Sequence, residues 1–280
     1  MLSNSSGILR ILFFLPALLL VVVFVFYPAI HTVCTSFFTP DGKFAPLSSY
    51  AAALGRREVK AALIHNFVWI AIHLPVTLLG GLVLAVLLMH VKGRNFIRPM
   101  IVLGMVTPTA VGGLIVRFIF DRRLGIVPAF LTLFGVSPKS WISYPETALF
   151  ALILGSVWLW TGFSFILHLA GLQTIPRDYY DAAKVDGATP WRSFFAITLP
   201  LLRPVTLVVA VLTIIWELKT FALVYTATMG GPGVATNVLA LQMFTDAFQR
   251  FDFNSGSVVA TLLLILVMVF AIPLIWRSAR

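Results

Sequence analysis

Six long apolar stretches leave this chain few ways to fold. They run from about Ile11 to Ile30, Ala61 to Met89, Pro99 to Phe120, Thr147 to Leu172, Pro204 to Tyr225 and Gly256 to Trp276. Helices rise about 1.5 Å per residue, so about 20 apolar residues cross the hydrocarbon core of a bilayer. Barrel strands would alternate apolar and polar side chains in units of about ten residues, whereas these runs are apolar on every side. Composition agrees: 60% of the 280 residues are hydrophobic and 11% charged, against about 45–50% and about 25% in soluble domains. Such a chain cannot cover a water-soluble globule of its length, and disordered, collagenous and disulfide-stapled classes fall with it. The expectation is an all-α polytopic membrane protein of six spans, with residues 1–280 forming a single transmembrane domain and no second large soluble domain.

Local features refine that expectation. Pro75, Gly80, Gly81, Gly112 and Gly113 lie inside apolar runs, where neighbouring helices can re-satisfy the backbone and small residues let helices approach closely. The run Ile11 to Ile30 exceeds the 7–15 residues of a signal-peptide core and reads as an uncleaved first span. Cys34 is the single cysteine, so no intramolecular disulfide forms. The net charge of +10 is spread in short tracts between apolar runs rather than in an aromatic-laced patch, which suits headgroup-facing loops and speaks against nucleic acid. If both termini are cytoplasmic, the two sides of the membrane carry 10 Lys and Arg each. The short basic loop Lys92 to Arg98 tilts this tie towards cytoplasmic termini.

Among the polar connections, residues 173–200 between the fourth and fifth stretches, QTIPRDYYDAAKVDGATPWRSFFAITLP, stand apart. They read as two short helices. Pro176 suits a first helical turn, Gly187 a C-terminal cap, and Thr189 an N-cap with Pro190 as the first helical residue. Trp191, Phe194 and Phe195 give the second helix an apolar face, and composition alone is equally served by an amphipathic connector lying on lipid headgroups.

The same residues carry a resemblance. Asp181-Ala182-Ala183, then Gly187, then Ile197-x-Leu199-Pro200 reproduces, with every spacing, the EAA loop of binding-protein-dependent ABC importer permeases. AGLQTIPRDYYDAAKVDGAT, FFAITLPLLRP, TMGGPG and NVLALQMFTDAFQRFDF are similar to the carbohydrate-uptake branch, the maltose- and glycerol-phosphate-type permeases. The family usually has Glu where this chain has Asp181; the shorter side chain keeps the charge but requires a closer contact. The resemblance implies a six-helix, type I importer bundle in a prokaryotic cytoplasmic membrane with both termini cytoplasmic. It further implies that Asp181, Ala182, Ala183, Gly187, Ile197, Leu199 and Pro200 couple the chain to a cytoplasmic ATPase. The implied partners are two ATP-binding subunits, a second homologous permease and an extracytoplasmic solute-binding protein, docked on the outer loops Thr32 to Lys60 and Thr226 to Ser255.

The sequence has no phosphate-binding GxxxxGK[ST], so ATP and Mg are expected on the partner ATPase and no cofactor on this chain. No HExxH, cysteine-containing zinc spacing or GxSxG occurs either, so neither catalytic nor metal-ligating residues are assigned. His65 and His73 lie on an apolar helix and read as packed or pore-lining. Ionisable residues within spans are costly and become functional candidates by default. Glu217 shares a helical face with Thr213, Trp216 and Thr220, while Ser156, Trp160 and Phe163 align on the fourth stretch. Rings beside a carboxylate and hydroxyls suit a sugar, whose faces are weakly apolar and whose edges hydrogen-bond; packing of the same aromatics between helices is the plain alternative. A self-contained secondary transporter would show an internal repeat and more intramembrane charge, and a membrane-embedded enzyme a converging catalytic set. Neither pattern is found here.

Overall fold

The computed structural model describes residues 5–89, 91–135 and 137–278. Among the described residues the chain is all-α, and extended pairing is limited to one isolated bridge between Phe38 and Phe44. Two compact units emerge. One comprises the chain up to Arg56 together with Met243–Leu262, the other Arg57–Gln242 together with the chain from Leu263 onward.

In the first unit, α1 (Ser5–Val21) and α2 (Tyr27–Thr35) are joined by a π-helical turn, Val22–Phe26. The proline two residues beyond that turn, Pro28, explains it. A proline ring crowds the carbonyl four residues back and offers that carbonyl no N–H, and a widened turn moves the carbonyl aside. The span Phe13–Thr35 is apolar and its large side chains are exposed all round, a surface suited to lipid or to another membrane helix. Beyond it, α3 (Pro46–Gly55) follows the bridged loop. Tyr50 on α3 shares a 2.8 Å hydrogen bond with Ser36, and Asn254 donates to the Phe38 carbonyl at 3.0 Å. Asp246 is buried and accepts from both Arg56 nitrogens at 2.9 and 2.7 Å and from Arg250 at 2.9 Å. Two guanidinium groups thus neutralise one carboxylate, as a buried charge requires.

The second unit is built around α4 (Arg57–Leu87) and α8 (Pro145–Thr174). Their contact is close because Gly81 carries no side chain: a Cβ there would collide with the Ser164 side chain and meet the Phe165 backbone nitrogen at 2.7 Å. Leu82, Ala85 and Leu88 then pack with Phe165, Leu172 and Leu202 in a continuous apolar core. Of the other glycines singled out in the sequence, Gly112 and Gly113 also lie at close contacts, whereas Gly80 is in ordinary contact, its Cβ position 3.7 Å from Thr161.

Between them, the stretch Pro99 to Phe120 is not one straight span. It forms α5 (Arg94–Val106) and α6 (Thr109–Ile119), whose axes differ by 104°. The break is local chemistry. Thr107 is extended (φ −72°, ψ 125°), as the residue before a proline tends to be, and Pro108 cannot donate to the helix behind it. A short α7 (Ile126–Thr132) leads on to α8.

After α8 come α9 (Arg177–Val185), α10 (Pro190–Ser193), a second π-helical turn Phe194–Thr198, α11 (Leu199–Leu201) and α12 (Arg203–Leu218). This π-turn too is followed two residues later by a proline, Pro200. The axis bends by 61° between Pro190–Leu201 and α12. The expected run Pro204 to Tyr225 ends as a helix at Leu218 and resumes as α13 (Ala222–Thr228). Its last carbonyls find partners elsewhere: Thr220 N–H donates to the Glu217 carbonyl at 3.1 Å, and the Asn66 side chain donates to that of Leu218 at 3.4 Å. Finally α14 (Leu239–Phe244) and α15 (Phe253–Ser278) divide their residues between the two units. Among the described residues, four helical segments are long and apolar enough to span a bilayer, or six when each bent pair counts as one.

Candidate functional site

The loop between α8 and α12 is an autonomous piece of helix chemistry. Asp178 lies in the first turn of α9 and Lys184 in the last, each favourable for the helix dipole. Pro176 stands at the N-cap, one position before the first helical residue. The C-terminus closes by a Schellman motif: Ala188 N–H donates to the Ala183 carbonyl at 2.8 Å and Gly187 N–H to that of Lys184 at 3.0 Å. Gly187 occupies the left-handed position with φ 75°, where a Cβ would strain the backbone. Space is not the constraint, since a Cβ there would meet nothing within 4 Å. Ala182 and Ala183 supply backbone carbonyls to this end, Ala182 accepting from Asp186 at 3.0 Å.

Thr189 caps the next helix, its hydroxyl accepting from Arg192 N–H at 3.3 Å, with Pro190 as the first helical residue. Tyr180 on α9 shares a 2.9 Å hydrogen bond with Thr198, which is buried. This bond ties α9 to the π-turn that leads through Leu199 and Pro200 towards α12. Ile197 is half-buried, while Leu199 and Pro200 are exposed. Asp181 pairs with Lys184 at 2.8 Å on the surface. That hydrogen bond, the Lys184 charge and then Arg177 hold the Asp181 carboxyl below the usual carboxylate range. The pair is exposed and adds little to folding. Apolar side chains face outward as well: Val185 is 88% exposed, and Tyr179, Trp191 and Phe195 are exposed.

The solute-path candidates lie where α8, α12 and α4 meet. Ser156 on α8 donates to Glu217 Oε1 on α12 at 3.0 Å, and both residues are buried. Trp160 stacks on Trp216 with centroids 4.5 Å apart and planes 26° apart, and Phe163 meets the Trp216 ring edge-on at 4.7 Å. These three rings are half-buried. Thr213 is buried, whereas Thr220 lies past the helix end and is half-buried. Of the seven candidates, five therefore join in direct contacts, and the carboxylate and its hydroxyl donor are more deeply buried than the three aromatic rings.

On the α4 side of this cluster, the sequence marks His73 only as packed or pore-lining and gives no sign of its partners. His73, wholly buried, places Nε2 3.4 Å from Glu217 Oε1 and 3.3 Å from Thr77 Oγ1. One turn earlier, Trp69 is also fully buried. Asn66 accepts from Leu239 N–H at 2.9 Å, and His65 Nδ1 lies 2.8 Å from the Asn237 carbonyl. Asn66, Trp69, His73 and Thr77 follow a helical i, i+3, i+7, i+11 stripe, a signal present in the sequence. A second polar contact, missed entirely, sets His168 2.8 Å from the Ser164 carbonyl and 3.2 Å from Thr206 on α12. TMGGPG forms a turn, with Met229, Gly230 and Gly233 at positive φ; the Thr236 hydroxyl closes it by donating to the Gly231 carbonyl at 2.8 Å.

Residues 77–277 match the family described as "Binding-protein-dependent transport system inner membrane component". The chain is 47% identical over 284 aligned residues to a probable ABC transporter permease, PH1038, of Pyrococcus horikoshii, with 96% of each chain covered. It is 34% identical to the trehalose/maltose transport system permease MalF of Thermococcus litoralis, covering 93% of this chain and 90% of that one. Among solved structures, a chain of a bacterial ABC transporter that imports the acidic polysaccharide alginate superposes with a TM-score of 0.85 at 19% identity, over 99% of this chain and 96% of that one.

Proposed function

Because this chain belongs to the binding-protein-dependent transport system inner membrane component family of ABC permeases, we propose that it carries a sugar, oligosaccharide or related polyol across the cytoplasmic membrane of a prokaryote. The energy comes from two separate ATP-hydrolysing subunits, which hold ATP and Mg. A second homologous permease completes the pathway, and an extracytoplasmic binding protein delivers the solute to the outer loops. Both termini face the cytoplasm.

One observation carries this reading: the loop from Arg177 to Pro200 is a small, self-capped helix pair that leads directly into α12. Its turn is set by the left-handed Gly187, and Tyr180 links it to Thr198. Coupling to a partner needs this combination of a formed shape, outward apolar and charged side chains, and a stiff connection to a membrane helix. Closure of an ATPase cleft on α9 would then displace α12 and shift the equilibrium between inward- and outward-open states. Asp181, Ala182, Ala183 and Gly187 belong to the docking end of the loop, and Ile197, Leu199 and Pro200 to the connection. The half-buried Trp160, Phe163 and Trp216 offer ring faces to a solute, with Thr220 four residues after Trp216, past the end of α12. Sugar as the solute class is supported by relatives named for trehalose and maltose and for xylose and arabinose uptake. A binding-protein partner is supported by the family's own description.

The test is uptake by proteoliposomes holding the full complex, with maltose and trehalose as probes and a cognate binding protein outside. Accumulation is expected to require ATP on the side of the hydrolysing subunits and to ignore imposed proton or sodium gradients. Gradient-driven uptake without ATP would replace this reading with a secondary transporter.

A further inference from the structure

Resting on the reading that Trp160, Phe163 and Trp216 line the solute path, we propose that Glu217 is a positioning residue which, clamped by Ser156 and His73, holds that aromatic platform together and does not touch the solute. The geometry separates these two roles. Glu217 is 2% exposed and its Oε1 is engaged from two sides, by the Ser156 hydroxyl at 3.0 Å and by His73 Nε2 at 3.4 Å. The three rings are half-buried.

Sequence spacing makes the clamp and the platform adjacent rungs of one ladder. Glu217 follows Trp216 on α12, and Ser156 lies one turn before Trp160 on α8. The Ser156–Glu217 hydrogen bond and the Trp160–Trp216 stack at 4.5 Å therefore join the same two helices, one turn apart on α8 and at successive residues on α12. Stacking alone leaves the two indole faces free to slide over one another. The directional bond to a buried carboxylate removes that freedom, and His73 fixes the carboxylate from α4. Support of this kind holds a binding constellation to within about 0.5 Å. Thr77 Oγ1 lies 3.3 Å from the same His73 Nε2, one turn further along α4. In an apolar interior a carboxyl has no water to turn to, so its protein partners determine where it points.

The experiment reads the platform directly. Two stacked indoles give an exciton-split band in far-ultraviolet circular dichroism, measurable on the purified full chain in nanodiscs whatever solute it carries; Trp216→Phe defines the signal by removing it. Glu217→Gln keeps the shape and the acceptor for Ser156, and is expected to keep the couplet. Glu217→Ala is expected to reduce it to roughly half or less at unchanged helical content. A wild-type couplet in Glu217→Ala overturns the proposal. If that variant does not insert, Ser156→Ala removes only the donor and is expected to weaken the couplet; an unchanged couplet there overturns it equally. Uptake of maltose and trehalose by the full complex separates the two readings. A lost couplet with unchanged uptake kinetics leaves the positioning role standing and removes the platform from the solute path.

Discussion

Substitution of Gly187 separates the folding of the coupling loop from its seating on a partner. The residue sits at φ 75° with nothing within 4 Å of a Cβ position. An alanine there meets no neighbour but takes on the left-handed strain of an L-residue, about 1–2 kcal/mol. At about 1.4 kcal/mol per factor of ten, the formed turn in Gly187→Ala loses roughly tenfold in population relative to its open forms. Asparagine tolerates this conformation better, so Gly187→Asn is expected to stay within a few-fold of wild type. Gly187→Trp carries the same backbone strain as alanine, and its Cβ likewise meets nothing within 4 Å. Any further loss must come from a partner that the indole obstructs. The assay is binding-protein-stimulated ATP hydrolysis by the reconstituted complex, with membrane insertion scored separately. The order expected is wild type, Asn, Ala, then Trp at the unstimulated rate. Equal activities for the alanine and tryptophan variants would refute the reasoning, because they would show that nothing docks at this turn.

Charge reversal by Asp181→Lys, which also destroys the Lys184 pair, is expected to lower stimulated hydrolysis strongly, while Asp181→Glu stays near wild type; both are read in the same assay. With cytoplasmic termini, the exposed Cys34 at the end of α2 reacts with an impermeant maleimide added to intact cells, and labelling confined to inverted vesicles would reverse the topology. Truncation in Asp246→Ala removes the carboxylate that Arg56 and Arg250 share. The cost is expected near the lower end of the roughly 3–5 kcal/mol for breaking a buried pair, since Arg250 is half exposed, and the measurement is protease cleavage within Thr32 to Lys60.

Much of this architecture is legible in the sequence because apolar length and cap chemistry are local properties. Thr189-Pro190 and Gly187 announce their roles within three or four residues of chain, and the structure places them as a cap, a first helical residue and a left-handed turn. The run Pro99 to Phe120 shows the limit of that approach. Hydropathy counts it as one span, but Pro108 sits where the preceding residue must extend, and the axis turns by 104°. Membrane helices accommodate many prolines, as α4 does at Pro75, so the residue alone does not distinguish a kink from a break. The Glu217 cluster was half visible. Helical spacing put Thr213, Trp216 and Glu217 on one face, but burial of the carboxylate depends on His73 and Ser156 arriving from two other helices. Pairing across helices leaves no periodic trace in either partner, and so His73 read only as a packed or pore-lining histidine, without its partners.

The claim that residues 173–200 transmit ATPase closure is tested most directly by proximity. With Cys34→Ser removing the native thiol, Val185→Cys places a cysteine at a position 88% exposed at the end of α9. A short bifunctional reagent with one maleimide and one photoreactive arm, applied to the complete transporter in membranes, is predicted to link this cysteine to the ATP-hydrolysing subunit, with a yield that changes when ATP is bound. Cross-linking to lipid alone, with the same yield with and without ATP, would contradict the account and leave the loop as a connector lying on headgroups.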